Sequence, residues 1–145
     1  MTTNAEAIVD NRWRFVPWLS RFVLLSATVI FSAIAVKYLA DPVRTAAEFK
    51  ISLGSAAAVT NMRVGFGALP LGFSLITLGC LISARRRLTG LWFIVTIFGV
   101  ATAARILGIV VDGPARESLM VLRPEVVLLA LSSVSLVLER RRREA

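Results

Sequence analysis

A chain of 145 residues, 57 % of them hydrophobic, with a mean hydropathy of +0.75, is far more apolar than a soluble domain, for which about 45–50 % is usual. Its net charge of +8, from 17 basic and 9 acidic residues, would suggest nucleic acid in a soluble protein. Here the basic residues gather between apolar runs, so the charge reads as orientation in a bilayer, and the expected partner is lipid rather than nucleic acid. A single cysteine, Cys80, excludes an intramolecular disulfide, and with no histidine the chain argues against Zn, Cu or haem sites and lacks Ser-His-Asp and Cys-His catalytic sets. No metal, no cofactor and no enzymatic activity are expected.

Residues 1–17 are polar and end in Asn11-Arg12-Trp13-Arg14-Phe15-Val16-Pro17, a basic and aromatic mixture suited to a membrane surface; Trp13 and Trp18 are interface anchors. The first apolar run, about 19–39, is long enough to cross ~30 Å of hydrocarbon as a helix. Its Ser26, Thr28 and Ser32 can bond to backbone carbonyls. A rival reading is a cleaved signal peptide, with Arg12, Arg14 and Arg21 as the basic region and Ala33-Ile34-Ala35 as the cleavage site. The run continues past those alanines and the basic region is long, which favours a retained span.

Asp41-Pro42 reads as a helix N-cap followed by proline at the first helical position, opening a short amphipathic helix to about Lys50. The small, weakly polar Leu53–Val59 stretch reads as a loop that lies on the membrane or folds back into it. The second run, about 64–84, is entered through Thr60-Asn61-Met62-Arg63. Gly65, Ala68, Gly72 and Gly79 share one helical face and would admit a neighbouring helix closely, while Pro70 should kink the helix and free a carbonyl near Phe66. Arg85-Arg86-Arg87 leaves a tight turn before the third run, about 88–111, which holds Trp92 and Phe93 near the headgroups and a Gly99/Ala103 small pair. Asp112-Gly113-Pro114 is a strong stop. The fourth run, about 119–138, spans if its helix starts near Ser118 and kinks at Pro124, and the chain closes with Glu139-Arg140-Arg141-Arg142-Arg143-Glu144. The expected fold is all-α: a single four-span transmembrane helical bundle with antiparallel neighbours.

Four spans put both termini on one side. That side holds ten arginines: Arg12, Arg14, Arg21, Arg85 to Arg87 and Arg140 to Arg143. The other side mixes Lys37, Arg44, Lys50 and Arg116 with Asp41, Glu48, Asp112 and Glu117. Positive charge concentrates on the cytoplasmic side, so both termini should be cytoplasmic in a cell membrane, and each arginine run reads as solvated at the headgroups.

Arg105 stands out, because a charge in the bilayer interior costs at least about 2.5–3.5 kcal/mol unless partnered or wetted. Arg63 enters the second span from the outer side, Glu125 enters the fourth, and Asp112 lies ~10 Å beyond Arg105 on the same helix face. With Asn61 these residues form an expected outer-leaflet cluster: Arg105 paired with Glu125, and Arg63 sharing Glu125 or Asp112. One reading is an ionic clamp that sets the register of spans two, three and four. The other is a polar pocket for an anionic or zwitterionic ligand. The inner halves of the spans read as free of acids, which weakens a transport reading.

Asn61-Met62-Arg63-Val64-Gly65-Phe66-Gly67, the Arg105-Ile106-Leu107-Gly108 stretch with Asp112-Gly113, and Glu125 together resemble the motifs of a bacterial family of small four-span membrane proteins known only as a domain of unknown function. The departures are Ala68 after Gly67, where that family has a second glycine, and Met62 in place of an acidic residue. The resemblance covers about residues 20–138, implies a four-helix membrane bundle and transfers no activity. The function expected is that of a non-enzymatic integral protein of the bacterial inner membrane, an accessory subunit or small-ligand binding module, associating with other membrane proteins or with itself. The alternative is a small oligomeric transporter or channel for an anionic or zwitterionic solute.

Overall fold

Inside lipid an apolar run has only its own backbone to hydrogen-bond with, so it folds as a helix. The computed structural model describes residues 15–144; Arg12, Trp13 and Arg14 lie outside the described residues. Four helical segments within it are long and apolar enough to cross a membrane, and the chain is a multi-pass membrane protein with an all-helical fold.

Helix α1 (Val16–Ala40) has Pro17 in its first turn, where a missing N–H removes nothing, and closes with the Asp41 N–H on the Lys37 carbonyl. The Asp41 carboxylate then accepts the Arg44 N–H at 3.0 Å and opens α2 (Pro42–Glu48), which ends before Lys50 at φ 61°. Ser55 caps α3 (Ala56–Met62), its hydroxyl accepting the Ala58 N–H at 3.1 Å.

A π-helical turn, Arg63–Ala68, carries α3 without a break into α4 (Leu69–Ile82), so the second span covers Ala56–Ile82. This corrects the expected start at residue 64. The stretch expected to be a loop ends in a serine cap followed by three alanines, the best helix formers, and joins the span. The irregularity expected from Pro70 takes the form of this wide turn, in which the Leu69 N–H reaches back to the Val64 carbonyl.

A 3₁₀ turn (Ala84–Arg86) leads to α5 (Arg87–Asp112), which stops at Gly113 with φ 94°, a conformation that glycine adopts freely. Helix α6 (Arg116–Glu144) contains Pro124 and runs through the C-terminal arginines, six residues past the expected end at 138.

Helix α1 is the most enclosed and organises the rest. It packs on α4 and the π-helical turn along one flank and on α6 and α5 along others, while α5 and α6 pair with each other. Val23, Leu24, Ala27 and Phe31 of α1 meet Cys80 of α4, Leu91, Ile94 and Phe98 of α5, and Leu136 of α6. Phe31 stacks on Phe98 and meets Phe73 edge-on, with ring centroids 5.6 Å apart in both cases. The closest approach is at Gly90, where a Cβ would lie 2.5 Å from the Cys80 Cβ and 2.7 Å from a Leu24 methyl. Gly65, Gly72 and Gly79 have open space instead, so the small-residue face expected to receive a helix receives none among the described residues. Trp18, Phe22, Ile82 and Val110 point outward, as lipid-facing side chains do.

Candidate functional site

Two charged centres lie far apart along the bundle. The first joins α5 to α6. Arg105 Nε donates to Glu125 Oε2 and Arg105 Nη2 to Glu125 Oε1, both at 2.7 Å, a parallel fork that satisfies both carboxylate oxygens. The side chains are 28 % and 12 % exposed, so the carboxylate is the more hidden partner. Charge is balanced within the pair.

The other residues expected in this cluster stay out of it. Asn61, Arg63 and Asp112 are exposed, and among the described residues neither Arg63 nor Asp112 forms an ion pair. Arg63 lies in the π-helical turn, which packs on α1, whereas Glu125 belongs to α6, whose main partner is α5. The Asp112 side chain lies back along its own helix near Gly108. The expected sharing of Glu125 or Asp112 by Arg63 is therefore corrected: Arg63 stands on the turn that packs chiefly on α1, while Asp112 and Glu125 stand on the α5 and α6 pair.

The second centre lies fourteen residues further along α6, ~21 Å away, at the arginine-rich end. Glu139 is completely buried. Its Oε2 accepts the Ser20 hydroxyl at 3.2 Å, and its Oε1 accepts Arg142 Nη2 at 2.9 Å with Arg143 Nε at 3.5 Å. Ser135 donates to Ser20 at 3.2 Å. Arg143 also donates to the Ala84 and Arg85 carbonyls, tying α6 to the 3₁₀ turn. Arg87 is 7 % exposed, has no hydrogen-bond partner for its Nε among the described residues, and lies within electrostatic reach of Arg21, Glu139, Arg142 and Arg143.

These residues overturn two expectations. Arg87 is buried rather than solvated, and the arginine-rich end of the fourth span, expected to be free of acids, contains a buried one. The cause is the longer α6, which keeps Glu139 on the face of Ser132 and Ser135. That spacing of three and four is visible in the sequence, as is the spacing of Arg87 to Gly90, Leu91, Ile94 and Phe98, the buried stripe of α5.

Between the two centres α1 and α4 share a short hydroxyl ladder: Thr28 to Thr77 at 2.9 Å and Ser32 to Ser74 at 2.7 Å. Thr28 Oγ1 also lies 2.8 Å from the Leu24 carbonyl, the backbone bond expected of it. The ladder stops short of Glu139, because Ser20 and Thr28 are eight residues, ~12 Å, apart with fully buried Leu24 and Ala27 between them. Among the described residues no three His, Cys, Asp or Glu side chains are grouped to hold a metal ion.

A family model described as a domain of unknown function (DUF4345) matches residues 19–136, which include Arg105 and Glu125 and stop just short of Glu139. No curated protein and no solved structure matches the chain.

Proposed function

Because the chain belongs to the DUF4345 family, a domain of unknown function, and crosses the membrane several times, we propose that it is a non-enzymatic accessory subunit of the bacterial inner membrane. Its outer-leaflet ion pair holds the third and fourth spans in register. The observation that carries this reading is the Arg105–Glu125 fork, which gives each carboxylate oxygen a donor and leaves the pair with no net charge. Both termini then face the cytoplasm, in keeping with the ten arginines on that side.

Thermal unfolding of Arg105→Ala in detergent tests the clamp, with a lowered midpoint expected. An unchanged midpoint together with lost binding of an anionic solute would favour the small-ligand module instead. Single-cysteine variants in a Cys80→Ser background test the orientation: an impermeant thiol reagent should label position 115 from outside intact cells and leave position 145 untouched.

A second reading, a small oligomeric transporter or channel, draws on the open face at Gly65, Gly72 and Gly79. The broken hydroxyl ladder gives one copy no continuous polar path, so this reading requires several copies. A monomer in nanodiscs would end it.

A further inference from the structure

At the arginine-rich end the Glu139 carboxylate is already engaged by Ser20, Arg142 and Arg143, and Arg87 lies within electrostatic reach of Glu139, Arg142, Arg143 and Arg21. Arg87 is more than nine-tenths buried, its Nε has no acceptor, and among the described residues no ion pair reaches it. Arg142 Nε is likewise buried and unpartnered. A sealed donor without an acceptor is unfavourable, and so is a surplus of two positive charges, Arg87, Arg142 and Arg143 against one carboxylate, in a buried or half-buried setting.

We propose that this end of the bundle, between α1, α5 and α6, binds a phosphate group through Arg87, Arg142 and Arg21. Guanidinium forks match phosphate geometry, and basic pockets between spans at the membrane rim take phospholipid headgroups. Arg21 lies over the Trp18 ring, 5.8 Å from its centroid, at the rim, and Phe22, Leu25 and Val29 are exposed further along α1, an apolar wall leading into the span where acyl chains would run. The same phosphate chemistry is presented by an anionic phospholipid and by free phosphate. The inference is independent of the Arg105–Glu125 clamp, which lies at the other centre.

The test is native mass spectrometry of the full chain after exchange into mixed phosphatidylglycerol and phosphatidylcholine, with and without millimolar inorganic phosphate. Retention of phosphatidylglycerol at least tenfold over phosphatidylcholine, unaffected by phosphate, identifies a lipid headgroup site. Loss of the retained lipid on adding phosphate, with a raised melting temperature in lipid-free detergent, identifies a site for the free ion. Arg87→Gln should abolish the selectivity, and Arg21→Gln, at an exposed residue with no ion pair among the described residues, should reduce it severalfold without changing the melting temperature in lipid-free detergent. Should Arg87→Gln fail to fold, Arg21→Gln decides. The Arg140→Gln/Arg141→Gln variant removes two nearby arginines that lie outside the cluster and should leave selectivity intact. Equal retention of both lipids with no response to phosphate overturns the proposal, as does an equal loss in the Arg140/Arg141 variant, which would reduce the effect to general attraction.

Discussion

Where Arg105 meets Glu125, one cation answers one anion through two 2.7 Å hydrogen bonds. Further along the same helix, Glu139 answers Arg142 and Arg143 while Arg87 remains within its reach and Arg21 within that of Arg87. The first centre is neutral as a unit and can stand within a span with lipid around it. The second carries surplus charge, and a surplus is tolerable only at a rim, where headgroups and water can compensate it. Burial of a charge is thus handled in two ways in one molecule: by a matched partner, and by position.

The largest expected effect is at the rim. Glu139→Ala removes the buried acid that pairs with Arg142 and Arg143 and should lower stability by about 3–5 kcal/mol, read by denaturant or thermal unfolding in detergent. An unchanged midpoint would show that the arginines do not depend on it and would break the comparison. Next is Arg105→Ala, which strands the hidden Glu125 carboxylate at a cost of about 3 kcal/mol.

The double changes sharpen the contrast. Arg105→Met with Glu125→Leu removes both halves of a closed pair and should return to within about 1 kcal/mol of the starting stability. Glu139→Leu with Arg142→Met should not recover, because Arg87 and Arg143 stay behind. Gly90→Ala calibrates the apolar core between the centres: the added methyl collides with Cys80 and Leu24, and about 1–3 kcal/mol should be lost. Smallest is Lys37→Ala, which breaks an exposed 3.4 Å pair with Glu48 and should change stability by less than about 1 kcal/mol.

Much of the fold is legible in the residues. Unbroken apolar length announces four spans, Asp41-Pro42 announces the cap of α2, and Asp112-Gly113-Pro114 announces the end of α5. The second span's early start was hidden because Ala56-Ala57-Ala58 is too weakly apolar to register as membrane, although its helix propensity is high. Glu139 was hidden by its neighbours: next to four arginines it reads as part of a solvated tail. Only a helix that continues to Glu144, with its serine face against α1, takes it out of water.

What the sequence alone determines here is height. Counting residues at 1.5 Å each places Arg63, Arg105 and Glu125 along their spans, because hydrocarbon thickness and helical rise are both constants. Azimuth and neighbourhood were decided only by the packing of α1 between the others: it joined Arg105 to Glu125, left Arg63 on another flank, and enclosed Glu139 and Arg87. Which helix stands beside which depends on side chains from four separate segments fitting at once, and no single segment carries that information.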